Sequence, residues 1–300
     1  MSTVGLDDVT VRARPIDRSA ARSWRHVKSQ LMSVVLGLCF VAISVPLVLV
    51  LWSVVSEGMR VMSWDFLTTD IAASERRSEG GVGPAIVGTV LATGIATMLA
   101  VPLGVLGAVY LHEYGRQGAF ARLVRFMATV MSGVPSIVMG LFVYVMWTLT
   151  FGLSALGAGI ALGCLMLPVV IRSTEEMLRL VPDQLREGAL ALGTTKSRTI
   201  MTVVLPAALP GIVSGCLLAV ARAAGETAPL IFTIGAAKAL NTWPFSGANT
   251  ALPREIYSNA SSTFDTAQAR GWGAALTLIV IAFLFTLVAR LVSARFALKR

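Results

Sequence analysis

Two charged residues lie within a long apolar stretch and are the residues best suited to act on a solute. Arg222 and Glu226 are four positions apart in a segment that runs to Pro229. Residues at this spacing share one helix face, so the guanidinium and the carboxylate can pair. An arginine in the centre of a bilayer costs at least about 2.5–3.5 kcal/mol, so these groups should face protein or a water-filled path. They are either part of a transport site or a self-neutralised pair that locks two helices together.

The chain around this pair favours a transport site. Pro229 removes the backbone hydrogen bond to residue 225, and Gly225 lowers helix stability further, so we expect a local helix break. A broken helix beside charged residues is a common form of transport site. If the helix begins at Ala207, Arg222 lies about 22 Å along it and well inside the membrane.

A second arginine, Arg172, closes another apolar stretch. At a membrane boundary its side chain can snorkel to the interface or pair with Glu176 at the i, i+4 spacing. From the residues alone, these structural roles are favoured over a place in the solute path.

Other kinds of chemistry find little support in the sequence. The cysteines, Cys39, Cys164 and Cys216, lie in apolar runs without a C-x-x-C pair, which is typical of packing residues. The two histidines, His26 and His112, form no metalloprotease motif. No nucleophile–base set is visible, so we expect neither an enzyme nor a metal site. The sequence also has no Gly-Lys dipeptide and therefore no G-x-x-x-x-G-K-[ST] phosphate-binding loop, so any ATP-derived energy must come from another polypeptide.

The composition places these residues in a membrane protein. Of 300 residues, 55% are hydrophobic and 14% are charged, whereas soluble domains carry about a quarter of charged residues. We predict an all-α integral membrane fold with a basic N-terminal tail over 1–30 and a six-helix transmembrane domain over 31–300. The first apolar run is too long and too far from the start for a cleaved signal. The predicted spans are 31–55, 84–111, 126–149, 154–171, 207–235 and 271–289, and the third and fourth should form a hairpin.

The distribution of basic residues gives these spans an orientation. The segments on one side carry 18 of the 25 lysines and arginines, those on the other side carry six, and Arg222 is the remaining one. This asymmetry predicts that both termini are cytoplasmic. The net charge of +9 then follows from topology, and the basic tail can lie near anionic lipid headgroups. It calls for no nucleic-acid partner.

We predict a short helix within the cytoplasmic segment 182–206. Pro182 and Asp183 favour a helix N-terminus, and Gly193 is suited to the left-handed position that ends one. Leu185, Ala189 and Leu192 then share one face. An apolar face on a helix too short to span a bilayer suggests docking into a partner's groove. The alternative is that this face packs on the chain's own helices.

This segment resembles the EAA loop of ABC-importer permeases. Glu187, Ala189, Gly193, Val203, Leu205 and Pro206 fall on its pattern of Glu-Ala-Ala, three residues, Gly, nine residues, Ile, one residue and Leu-Pro. Gly188 departs from the second position of that pattern, and Val203 is a conservative departure. The resemblance implies a coupling helix, including Leu192, that docks on an ATPase subunit.

A narrower resemblance covers the chain from about Gly80 onward. The segments 131–140, 167–178 and 222–229 are similar to the phosphate-import ABC permease family, specifically its A-type (PstA-like) subunit, which implies a six-helix MetI-like bundle. In that family the residues corresponding to Arg172, Arg222 and Glu226 are implicated in phosphate passage. Ser136 and Thr227, in the same segments, join them as candidate path residues.

The resemblance implies the rest of a transporter in a bacterial inner membrane. Its expected partners are a second homologous permease, two ATPase subunits that hold ATP and Mg²⁺, and an extracytoplasmic phosphate-binding protein. We expect this chain to bind no cofactor. The segment 236–270, with Trp243, Phe245 and Tyr257, either contacts the binding protein or is an ordinary ordered loop.

Two other functions stay open. The solute could be another oxyanion such as sulfate or molybdate, or the chain could be a stand-alone secondary transporter, against which the EAA-like segment argues.

Overall fold

A computed structural model describes residues 18–77, 79–115 and 118–297. These residues form helices and connecting segments and contain no β-strand. The chain divides into two units, Met1–Ser53 and Val54–Arg300.

The described part of the first unit is a single helix. Helix α1 extends from Arg18 to Val61, and its residues 18–53 belong to this unit. The helix therefore begins inside the segment 1–30 that we predicted as a tail, and residues 1–17 lie outside the described residues. Apart from its basic start, the helix is apolar enough to cross a membrane from His26 onward.

Besides the end of α1, the described residues of the second unit contain eleven helices of four residues or more. They are α2 (Trp64–Thr68), α3 (Gly83–Val109), α4 (Ala119–Gly133), α5 (Ser136–Val143), α6 (Ala155–Arg179), α7 (Asp183–Ala191), α8 (Lys196–Thr199), α9 (Leu205–Ala224), α10 (Ala228–Thr233), α11 (Leu252–Ala260) and α12 (Asp265–Ala297). A short helical piece, Leu149–Phe151, also follows α5. Three π-helical turns, Tyr110–Tyr114, Tyr144–Thr148 and Ile200–Val204, extend α3, extend α5 and lead into α9.

The all-α membrane fold predicted from the sequence is confirmed. Five helices of the described chain are long and apolar enough to cross a membrane, and a bent pair makes up to six. The bent pair, Ala119–Gly133 with Ser136–Phe151, turns through 105°. The expectation of a continuous helix over 126–149 was therefore wrong. Pro135 lacks a backbone N–H and forces the preceding Val134 into an extended conformation (φ −71°, ψ 127°), which ends α4.

The hairpin predicted between the third and fourth spans is present. Gly152 adopts a left-handed φ of +83°, which lets the chain reverse. Ser154 then caps α6 by accepting a hydrogen bond from the Gly157 amide.

Helix α6 is the central helix of the second unit, and small residues bring its neighbours close. A β-carbon on Gly159 would stand 2.6 Å from Ile95 of α3, and one on Gly104 of α3 would stand 2.6 Å from Val170 of α6. Alanines of α3, among them Ala92 and Ala96, complete this contact in the main apolar core. Without strong hydrophobic association in lipid, such close approach is what holds helices together.

Helices α9 and α10 run antiparallel to α6 and pack along it from its C-terminal end to its N-terminal end. Gly211 and Gly215 of α9 meet Met177 and Ser173 of α6, and Thr233 of α10 accepts a hydrogen bond from the Ser154 amide. The predicted span 207–235 is therefore broken between Ala224 and Ala228. The expected break at Gly225 and Pro229 is present.

A second apolar cluster lies at the end of the unit where α3 and α6 begin. Phe66, Val82, Ala85, Leu252 and Ala274 bring α2, α3, α11 and α12 together there. The segment 236–270, expected as a loop, contains α11 and the first turn of α12. Backbone hydrogen bonds attach the part before α11 to the helices. The Leu156 amide of α6, for example, donates to the Pro244 carbonyl at 2.9 Å.

Candidate functional site

Arg222 and Glu226 lie on either side of the end of α9. Arg222 lies two residues before Ala224, and Glu226 follows in the break before α10. The Arg222 Nε and Glu226 Oε1 atoms are 3.8 Å apart, a loose ion pair. The Arg222 side chain is 71% exposed and that of Glu226 is 24% exposed. Glu226 is therefore mostly covered within the single chain, whereas Arg222 is not.

The surroundings of Arg222 are otherwise apolar. It lines a shallow groove between α6 and α9 with Leu165, Met166, Val169 and Ala219. These α6 residues lie near the middle of the helix that runs from Ala155 to Arg179. Although Arg222 is close to the end of α9, it lies opposite the middle of a membrane-crossing helix, as the apolar sequence around it implied.

Ser136 and Thr227 belong to two short helices that pack together. Gly140 of α5 lies against Pro229 of α10, and the rings of Tyr144 and Phe232, about a turn further along both chains, meet edge to face at 6.4 Å. The two helices therefore run in the same direction. Because Ser136 is the first residue of α5 and Thr227 precedes α10, both hydroxyls lie at the same end of the pair. Both are half-buried, and neither side chain hydrogen-bonds to another described residue.

Arg172 lies at a different level from Arg222. Ser173 of α6 faces Gly215 of α9, whereas Arg222 is opposite Met166. Six residues of α6 separate the two levels, roughly 9 Å along the helix axis. Arg172 is exposed, and among the described residues it makes no ion pair with Glu176. The helix continues to Arg179, so Arg172 does not end the span as we expected.

The short helix predicted in segment 182–206 is present as α7. Pro182 precedes it, and Gly193 has the predicted left-handed φ of +80°. Leu185, Leu190 and Leu192 are exposed, as are Glu187 and Gly188, while Ala189 is half-buried. On the predicted face, Leu185 and Leu192 are therefore exposed in the single chain, and Ala189 is partly covered by the chain's own residues.

The remainder of that segment is more helical than we expected. After Gly193, the chain forms α8 and a π-helical turn, so Leu205 and Pro206 open α9 rather than end a loop. Leu205 is half-buried and Pro206 is exposed.

The sequence analysis missed Arg186, a charged residue on the inward face of α7. Arg186 is only 9% exposed, and its Nη2 lies 3.0 Å from Oε1 of Glu113 in the turn that ends α3. No spacing relates residues 73 positions apart. The available clue was an arginine on a different side of the short helix from Leu185.

The outer segment exposes the aromatic residues noted in the sequence. Trp243, Phe245 and Tyr257 are each more than half exposed, and the Trp243 and Phe245 rings meet edge to face at 5.5 Å. The described residues contain no group of three or more His, Cys, Asp and Glu side chains arranged to hold a metal ion.

A family comparison matches the greater part of the chain. The model of the binding-protein-dependent transport system inner membrane component matches residues 100–298. This match includes both arginines of the candidate path and the whole of α7.

Individual proteins give closer matches. The chain is 42% identical over 274 residues to the phosphate transport system permease protein PstA 1 of Mycobacterium tuberculosis (strain CDC 1551 / Oshkosh), covering 89% of each chain. It is 43% identical to the PstA protein of Mycobacterium leprae, covering 86% of each chain. It is also 38% identical to the PstA protein of Haemophilus influenzae, covering 86% of this chain and 92% of the relative.

Solved structures agree on the fold. A chain of the inward-facing MetNI methionine ABC transporter matches with a TM-score of 0.57 at 19% identity, covering 72% of this chain and 94% of that one. At this identity the match supports the arrangement of helices only.

Proposed function

Because this chain belongs to the family of inner membrane components of binding-protein-dependent transport systems, we propose that it is a permease subunit of an ATP-driven importer of inorganic phosphate. The observation that carries this proposal is the identity of 42–43% with phosphate transport permeases over most of the chain. The proposed subunit forms one half of the translocation path, and a second, homologous permease forms the other half.

The candidate path residues suit an oxyanion. The planar fork of the Arg222 guanidinium matches the oxygens of phosphate. Glu226, 3.8 Å from that fork, neutralises it when the path is empty and competes with phosphate for it, which favours release. Ser136 and Thr227 offer half-buried hydroxyls at one end of the pair formed by α5 and α10, and Arg172 gives a second cation nearer the end that carries α7.

The exposure of Arg222 supports a partner on this face. A cation that is 71% exposed opposite the middle of α6 is unfavourable against lipid. A second permease placed there encloses a hydrated path between the two subunits, and Arg222 then faces the solute rather than hydrocarbon.

Helix α7 is suited to couple this path to ATP hydrolysis. Exposed Leu185 and, just after the helix, exposed Leu192 lie on one side and form an apolar surface for a groove on an ATPase subunit. Two such subunits serve the two permeases and bind ATP and Mg²⁺, and this chain binds no cofactor itself.

The charge distribution gives the orientation of the proposed subunit. It lies in a bacterial inner membrane with both termini in the cytoplasm, where its basic ends meet anionic lipid headgroups. The opposite end, with Trp243, Phe245 and Tyr257, faces an extracytoplasmic phosphate-binding protein. Neither the fold nor the charge requires a nucleic acid.

Uptake by the reconstituted complex tests this function. Vesicles that hold both permeases and the ATPases, supplied with the binding protein, should take up radiolabelled phosphate only when ATP is present. Excess sulfate or molybdate should not compete; competition by either would assign the path to that oxyanion. Uptake by this chain alone, driven by an ion gradient, would contradict the proposal and indicate a secondary transporter.

A further inference from the structure

Arg186 is the most heavily bonded charged side chain at the end of the unit that carries α7. Its guanidinium donates to Oε1 of Glu113 from Nη2 at 3.0 Å and from Nε at 3.2 Å. It also donates to the carbonyls of Leu178 at 2.9 Å and Val181 at 2.7 Å, and to Oδ1 of Asp183 at 2.9 Å. The side chains of Arg186 and Glu113 are 11% and 4% exposed. The pair thus joins the inward face of α7 to the end of α3.

Glu113 belongs to a π-helical turn that two further cations hold. Arg125 of α4 donates to the Leu111 carbonyl at 2.8 Å and pairs with Glu175 of α6 at 2.8 Å. Lys196 of α8 donates to the Glu113 carbonyl at 2.5 Å and lies over the Tyr114 ring at 4.8 Å. The turn Tyr110–Tyr114 is therefore fixed by cations from three helices, α4, α7 and α8. Such turns widen the helix and leave carbonyls that need other donors.

The energetics of a buried ion pair indicate what this one contributes. Desolvation cancels much of the attraction, so a buried pair adds little stability over apolar residues of the same size, whereas loss of one partner is strongly unfavourable. A pair of this kind is more useful for fixing geometry than for adding stability. Here it fixes a short helix that exposes Leu185 on a different side.

Contacts continue from this clamp to the candidate path. Helix α3, which ends in the clamped turn, packs closely on α6 through Ile95 and Gly159. Helix α6 in turn contributes Met166 and Val169 to the groove beside Arg222. A rigid connection from α7 to α3 therefore reaches the path through two closely packed helices.

We propose that Arg186 is a positioning residue for transport: with Glu113 it clamps α7 to the end of α3, so that movement of α7 is passed to α3 and α6 and not only along the chain to α9. This inference rests on the proposed function, since it requires an ATPase that moves α7. The defining feature is the Arg186–Glu113 pair, and the exposed leucines serve the separate purpose of docking.

The test compares phosphate uptake with ATP hydrolysis in the complete reconstituted complex. Glu113→Gln keeps the size of the side chain, and Arg186→Lys keeps the charge but loses the fork. In each, phosphate carried per ATP hydrolysed should fall about fivefold or more, in the range of ordinary coupling between sites. ATP hydrolysis per assembled complex should change by less than about twofold, because the docking leucines are intact.

Two exposed residues of the same end supply matched controls. Arg179→Lys and Glu176→Gln make the same chemical changes at positions with no ion pair among the described residues, and both should leave the ratio unchanged. Equal losses of uptake and hydrolysis in Glu113→Gln and Arg186→Lys, or no change in either, would overturn the clamp. If one of the two variants fails to assemble, the other decides.

A distance measurement separates failure of the clamp from failure of the proposed function. Spin labels at exposed Gln184 of α7 and exposed Leu106 of α3, with Cys39, Cys164 and Cys216 replaced by alanine, report how the two helices move together. The distance between the two labels should be the same in ATP-free and ATP-bound complexes. In Glu113→Gln the distribution of that distance should broaden. If the distance changes with ATP in the labelled chain that keeps both Glu113 and Arg186, the clamp is contradicted, whatever solute the complex carries. Absence of phosphate uptake by the wild-type complex contradicts the proposed function alone.

Discussion

A β-carbon on Gly140 would stand 2.6 Å from the α-carbon of Pro229. The backbones of α5 and α10 are therefore in direct contact, and only glycine permits this approach. Both helices follow a break in the chain, at Val134–Pro135 and at Gly225–Thr227, and both begin beside a candidate path hydroxyl. The contact fixes Ser136 and Thr227 relative to each other.

Gly140→Ala should separate these helices and impair transport. Because the obstructing atom is backbone, the neighbour cannot rotate away, and overpacking of this kind costs about 1–3 kcal/mol. We expect a lower melting temperature of the purified complex and slower phosphate uptake. Gly133→Ala is the matched control, since an added β-carbon there meets nothing within 4 Å. Equal behaviour of the two variants would show that the contact is unimportant.

Arg222→Ala should nearly abolish uptake while the complex still assembles. A hydrogen bond to a charged group contributes about 1.5–3 kcal/mol, so uptake should fall roughly 10- to 150-fold. Arg60→Ala is the control because Arg60 is also exposed and paired within its own helix, with Glu57 at 2.8 Å. The comparison uses initial rates of labelled phosphate uptake per assembled complex. Normal uptake by Arg222→Ala would remove this arginine from the path.

Glu226→Gln should affect binding and turnover in opposite directions. Without the carboxylate, Arg222 has no competing anion and should hold phosphate more tightly, so release becomes slower. Both KM and kcat for uptake should therefore fall, whereas loss of a binding group would raise KM. Glu57→Gln, which disrupts the comparable pair on α1, should alter neither. A raised KM in Glu226→Gln would mean that the carboxylate helps to bind the solute.

Local residue chemistry allowed several features to be predicted from the sequence. Gly193 marked the end of α7 because a left-handed residue there favours glycine, and the observed φ is +80°. Gly225 and Pro229 marked the break in the fifth span for equally local reasons. The path and coupling roles of individual residues stay predictions.

Features that depend on distant parts of the chain were missed or wrongly predicted. The partners Arg186 and Glu113 are 73 positions apart, and their meeting depends on how α3, α6 and α7 pack. The third span was predicted as one helix because hydropathy reports how apolar a segment is and not whether the chain bends. At Val134–Pro135 the chain turns by 105°. The exposure of Arg222 depends on which helices cover it, and that is a property of the fold.

Leu192→Glu should weaken the attachment of the ATPase subunits. Leu192 is 86% exposed, and a charge there would meet the proposed apolar groove without a partner. Loss of an interface anchor typically costs about 2 kcal/mol or more, roughly a 30-fold weaker complex. Leu240→Glu changes an exposed leucine of the outer segment and serves as the control. Co-purification of the ATPase with each variant measures the effect, and undiminished recovery with Leu192→Glu would exclude this residue from the docking surface.

The two glycines of the α7 region should respond oppositely to alanine. Gly188 lies inside the helix with nothing within 4 Å of an added β-carbon, so Gly188→Ala should stabilise α7 by about 0.5–1 kcal/mol. Gly193 also has open space, but its φ of +80° is strained for alanine, and Gly193→Ala should destabilise the end of the helix by about 1–2 kcal/mol. Amide hydrogen exchange within 183–193 should accordingly slow in the first variant and accelerate in the second. Slower exchange in both variants would show that the helix extends past Gly193 when alanine permits it, and that the glycine does not set the end of the coupling helix.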